Sequence, residues 1–157
     1  MADTAVQDLY PNDVAHCYGC GRLNDDGLHI RTHWEKGEGI ARFTPEPYHM
    51  AMPGFVYGGL LASLVDCHAI GTAAAAVMER EGQVPGADPS PRFVTASLRV
   101  DYLKPTPMGP ELLVRARPEE VGERKVRLAV EVIAETEVTV RGEVLAVRMP
   151  DTFTMRP

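Results

Sequence analysis

The stretch GFVYGGLLASLVDCHAIGTAAAAVMERE, Gly54 to Glu81, constrains the fold more than any other part of the chain. It is nearly all apolar or small, yet Asp66 sits at its middle and Gly58-Gly59 near its head. From Phe55 to Met78 the run is long enough to span a bilayer, at about 20 residues per crossing. Asp66 and His68 at the centre oppose that reading, because a charged residue there costs about 2.5–3.5 kcal/mol on insertion. No second span and no basic flank accompany the run. It reads as a helix wrapped by protein, and the rest of the chain must then supply an apolar wall around it.

The remaining sequence offers strands for that wall. GLHIRTHWEKGEGIARFTPE alternates on both sides of Gly37–Gly39, which predicts a hairpin. PYHMAMPGF is a proline-broken loop before the helix, and GQVPGADPSP a second loop that ends it. RFVTASLRVDYLK then sets Val94, Ala96, Leu98, Val100 and Tyr102 against Phe93, Thr95, Ser97, Arg99 and Asp101, the pattern of a strand with one covered face. ELLVRARPEEVG, ERKVRLAVEVIAET and EVTVRGEVLAVRM continue in the same manner. Two strands, one long helix and three or four longer antiparallel strands give an α+β fold, a curved sheet around a central helix. At 157 residues the chain is one domain with a sizeable core. Residues 1–26, with YPND and GRLNDDG, form an irregular lead-in; 27–150 form the domain; 151–157 form a tail.

Composition narrows the function classes. The chain is 45% hydrophobic and 24% charged, in the ordinary globular range, and its formal charge of −6 lacks the basic excess of a nucleic-acid binder. MADTAVQDLYPNDVAH has neither a basic start nor an apolar run, so no signal peptide is expected and a cytoplasmic location is. Cys17, Cys20 and Cys67 are too few for a disulfide framework. Cys17-x-x-Cys20 invites a metal reading with His16, His29 and His33, but no second cysteine pair exists. In a strand, His29 and His33 would lie about 13 Å apart, too far to share an ion. The preferred reading is a turn with buried thiols, with neither a redox couple nor a metal.

Successive residues placed at ~100° steps divide the helix into two sides. Leu61, Leu64, Val65, His68 and Thr72 share one; Gly59, Ser63, Asp66, Ile70 and Ala73 share the other. His68 points roughly away from Asp66, so the two do not form a dyad. A helix N-terminus offers unpaired N–H groups and a partial positive charge, and glycine lets another molecule reach them. That is an oxyanion-hole arrangement, and a carboxylate two turns inward is expected to face the same carbonyl carbon, attacking it or activating water. The other reading of the same residues is a tight turn at Gly58-Gly59 with Asp66 tied to a backbone donor. Spacing alone leaves both open.

VYGGLLASLVD is similar to the signature of the hotdog-fold acyl-CoA thioesterases, particularly the phenylacetate-degradation type: a loop ending in His-Gly-Gly, then an acid in the helix. CYGCGRLNDDGLHI resembles the lead-in of many members, and LRVDYLKPTPMGPEL the strand and turn after their helix, so the resemblance covers about residues 17–149. It implies a hotdog fold working as a dimer or dimer of dimers. It also implies hydrolysis of an acyl-CoA to free acid and coenzyme A, with no cofactor beyond the coenzyme A of the substrate. Carried onto this chain, Asp66 is the base or nucleophile and the Gly58 N–H polarises the carbonyl. Gly59 permits close approach, and Ser63 lines the pocket. Tyr57 stands where the family has His; it keeps an aromatic ring with a polar tip, but a phenol of pKa near ~10 handles no protons at neutral pH. His49 is a candidate pocket contact, and Lys104 a candidate for a coenzyme A phosphate, with Arg99 and Arg92 nearby. Ile70 and Tyr57 suit a medium-chain or aryl acyl group. No nucleic acid or membrane is expected as a partner. Loss of the loop histidine favours an alternative, a non-catalytic protein of the same fold that binds acyl ligands. A hydratase fits less well, because Asp66 and His68 diverge.

Overall fold

The structure is a computed structural model that describes residues 4–83, 91–150, 152–153 and 155–156. In chain order it contains β1 (His33–Glu35), β2 (Glu38–Phe43), α1 (Gly58–Arg80), β3 (Phe93–Tyr102), β4 (Leu112–Val121), β5 (Lys125–Ala134) and β6 (Glu137–Arg148). The strands form one antiparallel sheet in the order β1-β2-β4-β5-β6-β3, and α1 touches all six. Register shifts in the β3–β6, β4–β5 and β5–β6 pairs break the ladder at three places, the device by which a sheet bends. The expected sheet around one helix is the architecture found.

The two predicted sides of α1 are distinct in burial. Leu61, Leu64, Val65, His68 and Thr72 are buried, while Gly59, Ser63, Asp66 and Ile70 are half-buried. Ala73 to Ala76 are all buried, and these small side chains let the sheet come close. The same closeness shows at Gly142 of β6, where a Cβ would lie 2.3 Å from the Val65 side chain. By length and composition α1 could cross a membrane, but 72% of its most apolar window is buried inside the protein. It stops in a Schellman turn: Gly82 N–H donates to Glu79 O, Gln83 N–H donates to Met78 O, and Gly82 takes the left-handed conformation at φ 65°. Most of the Pro- and Gly-rich loop expected after it lies outside the described residues.

Two expectations need correction. The first run of the hairpin yields only β1, because Leu28 and Ile30 donate their N–H groups to Tyr18 and Gly19 of the lead-in instead of to a strand, and His29 has φ 53°. His29 therefore never enters a strand. The lead-in is irregular but not loose: Ala5, Val6, Gln7, Ala15 and Cys20 are buried, and Val6 N–H bonds Thr32 O at 2.8 Å. In β3 the covered face is incomplete: Phe93 is buried and Val100 packs on the core, but Val94, Leu98 and Tyr102 stay exposed.

His68 anchors α1 to this frame. Its Nε2–H donates to Gly39 O at 2.9 Å, so Nδ1 is the acceptor for the Thr32 hydroxyl at 2.9 Å. Gln7 closes the network, donating from Nε2 to Thr32 Oγ1 and accepting from Thr32 N–H. Full burial pulls the imidazole pKa down to about 4; the Gly39 bond opposes this and nearby His33 adds to it. A histidine with a depressed folded pKa binds its proton more readily when unfolded. Its stabilising contribution is therefore complete above about pH 6.5 and is lost as pH falls toward about 4, on the order of 3 kcal/mol in all. Urea denaturation across that window should show the decline, and His68→Asn should flatten it; an equally steep decline in the variant would exclude His68 as the cause.

Candidate active site

Asp66 lies where the helix wall meets β3. Its Oδ1 accepts a hydrogen bond from the Thr95 hydroxyl, while Oδ2 has no hydrogen-bond partner among the described residues. The carboxylate lines a cavity of about 470 Å³ whose apolar wall includes Tyr10, Ile70, Phe93, Met149, Phe153 and Met155. A half-buried acid with one oxygen fixed and the other without a hydrogen-bond partner, beside a largely apolar cavity, is suited to accept a proton or to attack a carbon there.

The helix end is the second polar element. Tyr57 is the N-cap residue without a side-chain cap, and its carbonyl takes the N–H groups of both Leu60 and Leu61. The N–H groups of Gly58 and Gly59 have no acceptor among the described residues. Tyr57 N–H is held by His49 O and Val56 N–H by Thr106 O, which pins this end to the β3–β4 connection. The Tyr102 hydroxyl donates to Gly58 O at 2.7 Å; burial and the neighbouring Tyr57 phenol raise its pKa, so it stays a neutral donor.

Thr95 and Tyr102 both reach α1, although seven positions apart on a regular strand would send them to opposite faces. The register shift between Thr95 and Ser97 inverts the alternation and turns both side chains to the helix. One bulge thus places a strand residue at each end of the candidate site.

The other expected residues divide. Ser63 is half-buried, but its hydroxyl donates back to Gly59 O at 2.9 Å. The His49 ring accepts Glu46 N–H at Nδ1 and stacks near Phe43 and Tyr48; it does not line the Asp66 cavity. Lys104 is exposed and paired with Glu137 at 3.2 Å, and Arg99 is paired with Asp101 on its own strand. Arg92 does line the cavity, paired with Asp13 at 3.6 Å. The space beside Gly59 is filled by Tyr57 itself, since a Cβ there would lie 2.4 Å from the Tyr57 ring. Gly58 and Asp66 are separated by about 12 Å along the helix axis, at 1.5 Å per residue. The expectation that both face one carbonyl therefore fails within a single chain.

The cysteines also depart from expectation. Cys17 is exposed and Cys67 half-buried, and Cys67 approaches Cys17 across the cavity wall with sulfurs 3.8 Å apart. The Cys20 and Cys67 thiols hydrogen-bond to Cys17 and pull its pKa down to about 2, while sharing that bond pushes Cys20 up to about 12 and Cys67 higher still.

A thioesterase superfamily profile matches residues 53–141, which contain α1 and most of the sheet. The chain belongs to the thioesterase superfamily. Among solved structures of that superfamily, a protein from Shewanella loihica PV-4 shares 42% identity over 90% of this chain and all of its own, with a TM-score of 0.69. The PaaI protein of the E. coli phenylacetic acid degradation operon has the same fold at 17% identity, covering 81% of this chain and 84% of that one, with a TM-score of 0.64. Acyl-coenzyme A thioesterase THEM4 of Xenopus laevis is 33% identical over 87 residues, 55% of this chain. That match spans only 33% of the length of the Xenopus protein.

The Tyr57–Gly59 contact generates a direct test. Gly59→Ala should displace the Tyr57 ring, so Gly59→Ala and Tyr57→Ala should be non-additive in thermal stability by about 1 kcal/mol. Simple additivity would show that the ring does not occupy that space.

Proposed function

We propose that the protein hydrolyses an acyl-CoA thioester, with Asp66 as general base or nucleophile and the Gly58 N–H as oxyanion donor. The observation that carries the reading is Asp66 itself: half-buried, bonded to Thr95 at one oxygen, and lining a largely apolar cavity. In the first route Oδ2 takes a proton from water as the water oxygen bonds to the carbonyl carbon; collapse then expels coenzyme A as thiolate. In the second, Oδ2 bonds to that carbon and expels the thiolate, and water cleaves the resulting anhydride. Both create negative charge on the carbonyl oxygen, which a backbone N–H at a helix end stabilises. The cavity volume and its aromatic and aliphatic wall suit a medium-chain or aryl acyl group. The Xenopus relative is an acyl-CoA thioesterase, and a Streptococcus mutans protein of the same fold, 17% identical with a TM-score of 0.64, was solved with acetyl CoA bound.

The ~12 Å between Gly58 and Asp66 favours a site shared by two copies, each supplying one element. The edge strand β3 supports that arrangement: among the described residues it pairs only with β6, and it exposes Val94, Leu98 and Tyr102. Pairing β3 with its copy about a two-fold axis covers the edge and these side chains. Lys104 follows β3, close to the connection that holds the helix end, where a coenzyme A phosphate could displace Glu137.

Thiol release across a panel of aliphatic and aryl acyl-CoAs tests the class. Asp66→Asn should lower turnover at least ~100-fold while still binding acyl-CoA; unchanged release would remove Asp66 from the reaction. Gly58→Pro deletes the donor at a position where proline suits a helix start, and Tyr57 already has the extended conformation proline demands (φ −61°, ψ 129°). It should fold and lose ~100-fold or more in turnover. Leu98→Lys should yield a monomer without activity, and an active monomer would refute the shared site. The second reading, an acyl-CoA binder without turnover, is favoured by Tyr57 in place of His; binding without thiol release from any substrate would establish it.

A further inference from the structure

Three free thiols converge beside the cavity. The sulfurs of Cys17, Cys20 and Cys67 all lie within 4.8 Å of one another, and Cys17 and Cys67 are 50 positions apart in sequence, so the tertiary fold gathers them. The surroundings are shaped for this. Gly21 N–H closes a tight turn onto Cys17 O at 2.8 Å, which holds Cys17 and Cys20 in one turn. At Gly19 a Cβ would sit 2.3 Å from the Cys67 sulfur, so only glycine leaves room for the third thiol.

We propose that Cys17, Cys20 and Cys67 form a three-thiolate site for a thiophilic divalent cation, zinc foremost, with the fourth coordination position facing the cavity and taken by water. The sulfur spacing argues for an ion over a disulfide. Two sulfurs bound tetrahedrally at about 2.3 Å from zinc lie about 3.8 Å apart, the separation found for Cys17 and Cys67. A disulfide would require contraction to about 2.05 Å and would leave the third cysteine unused. On binding, the three thiols release three protons and form three metal–sulfur bonds, giving a complex of net charge −1. The ion would tie the lead-in turn to α1, one residue from Asp66.

The test uses the full chain, reduced, loaded with Zn²⁺ or Co²⁺ and desalted. Expected are one ion per chain, a thiolate-to-cobalt charge-transfer band with tetrahedral ligand-field absorption, and a zinc-dependent rise in melting temperature. Cys17→Ser, whose side chain is exposed and should leave the fold intact, and Cys67→Ser should each weaken binding by more than ~100-fold, beyond what loss of an outer-shell partner costs. Less than one-tenth of an ion per chain, on the order of background, or retention unchanged in either variant would overturn the proposal. So would formation of a disulfide among these cysteines in zinc-containing thiol buffer. None of these readouts depends on thioester hydrolysis.

Discussion

A 23-residue apolar helix must be covered, and most of the molecule follows from how far the sheet succeeds in doing so. All six strands touch α1, its deep side is sealed, and His68 fixes its rotation through Gly39 and Thr32. Cover is incomplete along Gly59, Ser63, Asp66 and Ile70. That half-buried stripe is where a polar group can exist without being either fully solvated or stranded, and Asp66 occupies it. The carboxylate in the most hydrophobic segment is thus a consequence of where the wall ends.

Helix geometry sets the second constraint. The free N–H groups belong to the first turn, the acid to the third, and a rigid helix keeps them about 12 Å apart. No side-chain movement closes that distance. A reaction using both must bring the helix end of one copy to the acid of another. The bulge in β3 serves both ends at once, giving Thr95 to Asp66 and Tyr102 to the Gly58 carbonyl. The same strand is the exposed edge on which a second copy would pair.

Much of this was legible in the sequence, for physical reasons. The 3.6-residue period of α1 separated the buried His68 side from the Asp66 side, because burial follows period when one helix is enclosed. Alternation located β3 to β6 but ran one face unbroken through β3, since a one-residue bulge is invisible to a period of two. For the same reason Thr95 and Tyr102 were not recognised as partners of the helix. Cys67 was missed as a companion of Cys17 and Cys20 because local spacing cannot report a contact 50 positions away. The shared carbonyl failed through arithmetic that the sequence already allowed: eight residues of helix are too long to fold back upon one atom.

In the proposed reaction Asp66 of one copy acts with the Gly58 N–H of another, and mixed dimers test this pairing directly. Asp66→Asn and Gly58→Pro proteins, each inactive alone, should be dissociated together, reassociated and assayed for thiol release. Hybrids of a shared site contain one centre with both lesions and one intact, so the mixture should recover about a quarter of wild-type turnover. If each chain carries its own complete site, every centre in the hybrid is damaged, and no recovery in mixtures shown to contain hybrids would contradict the account.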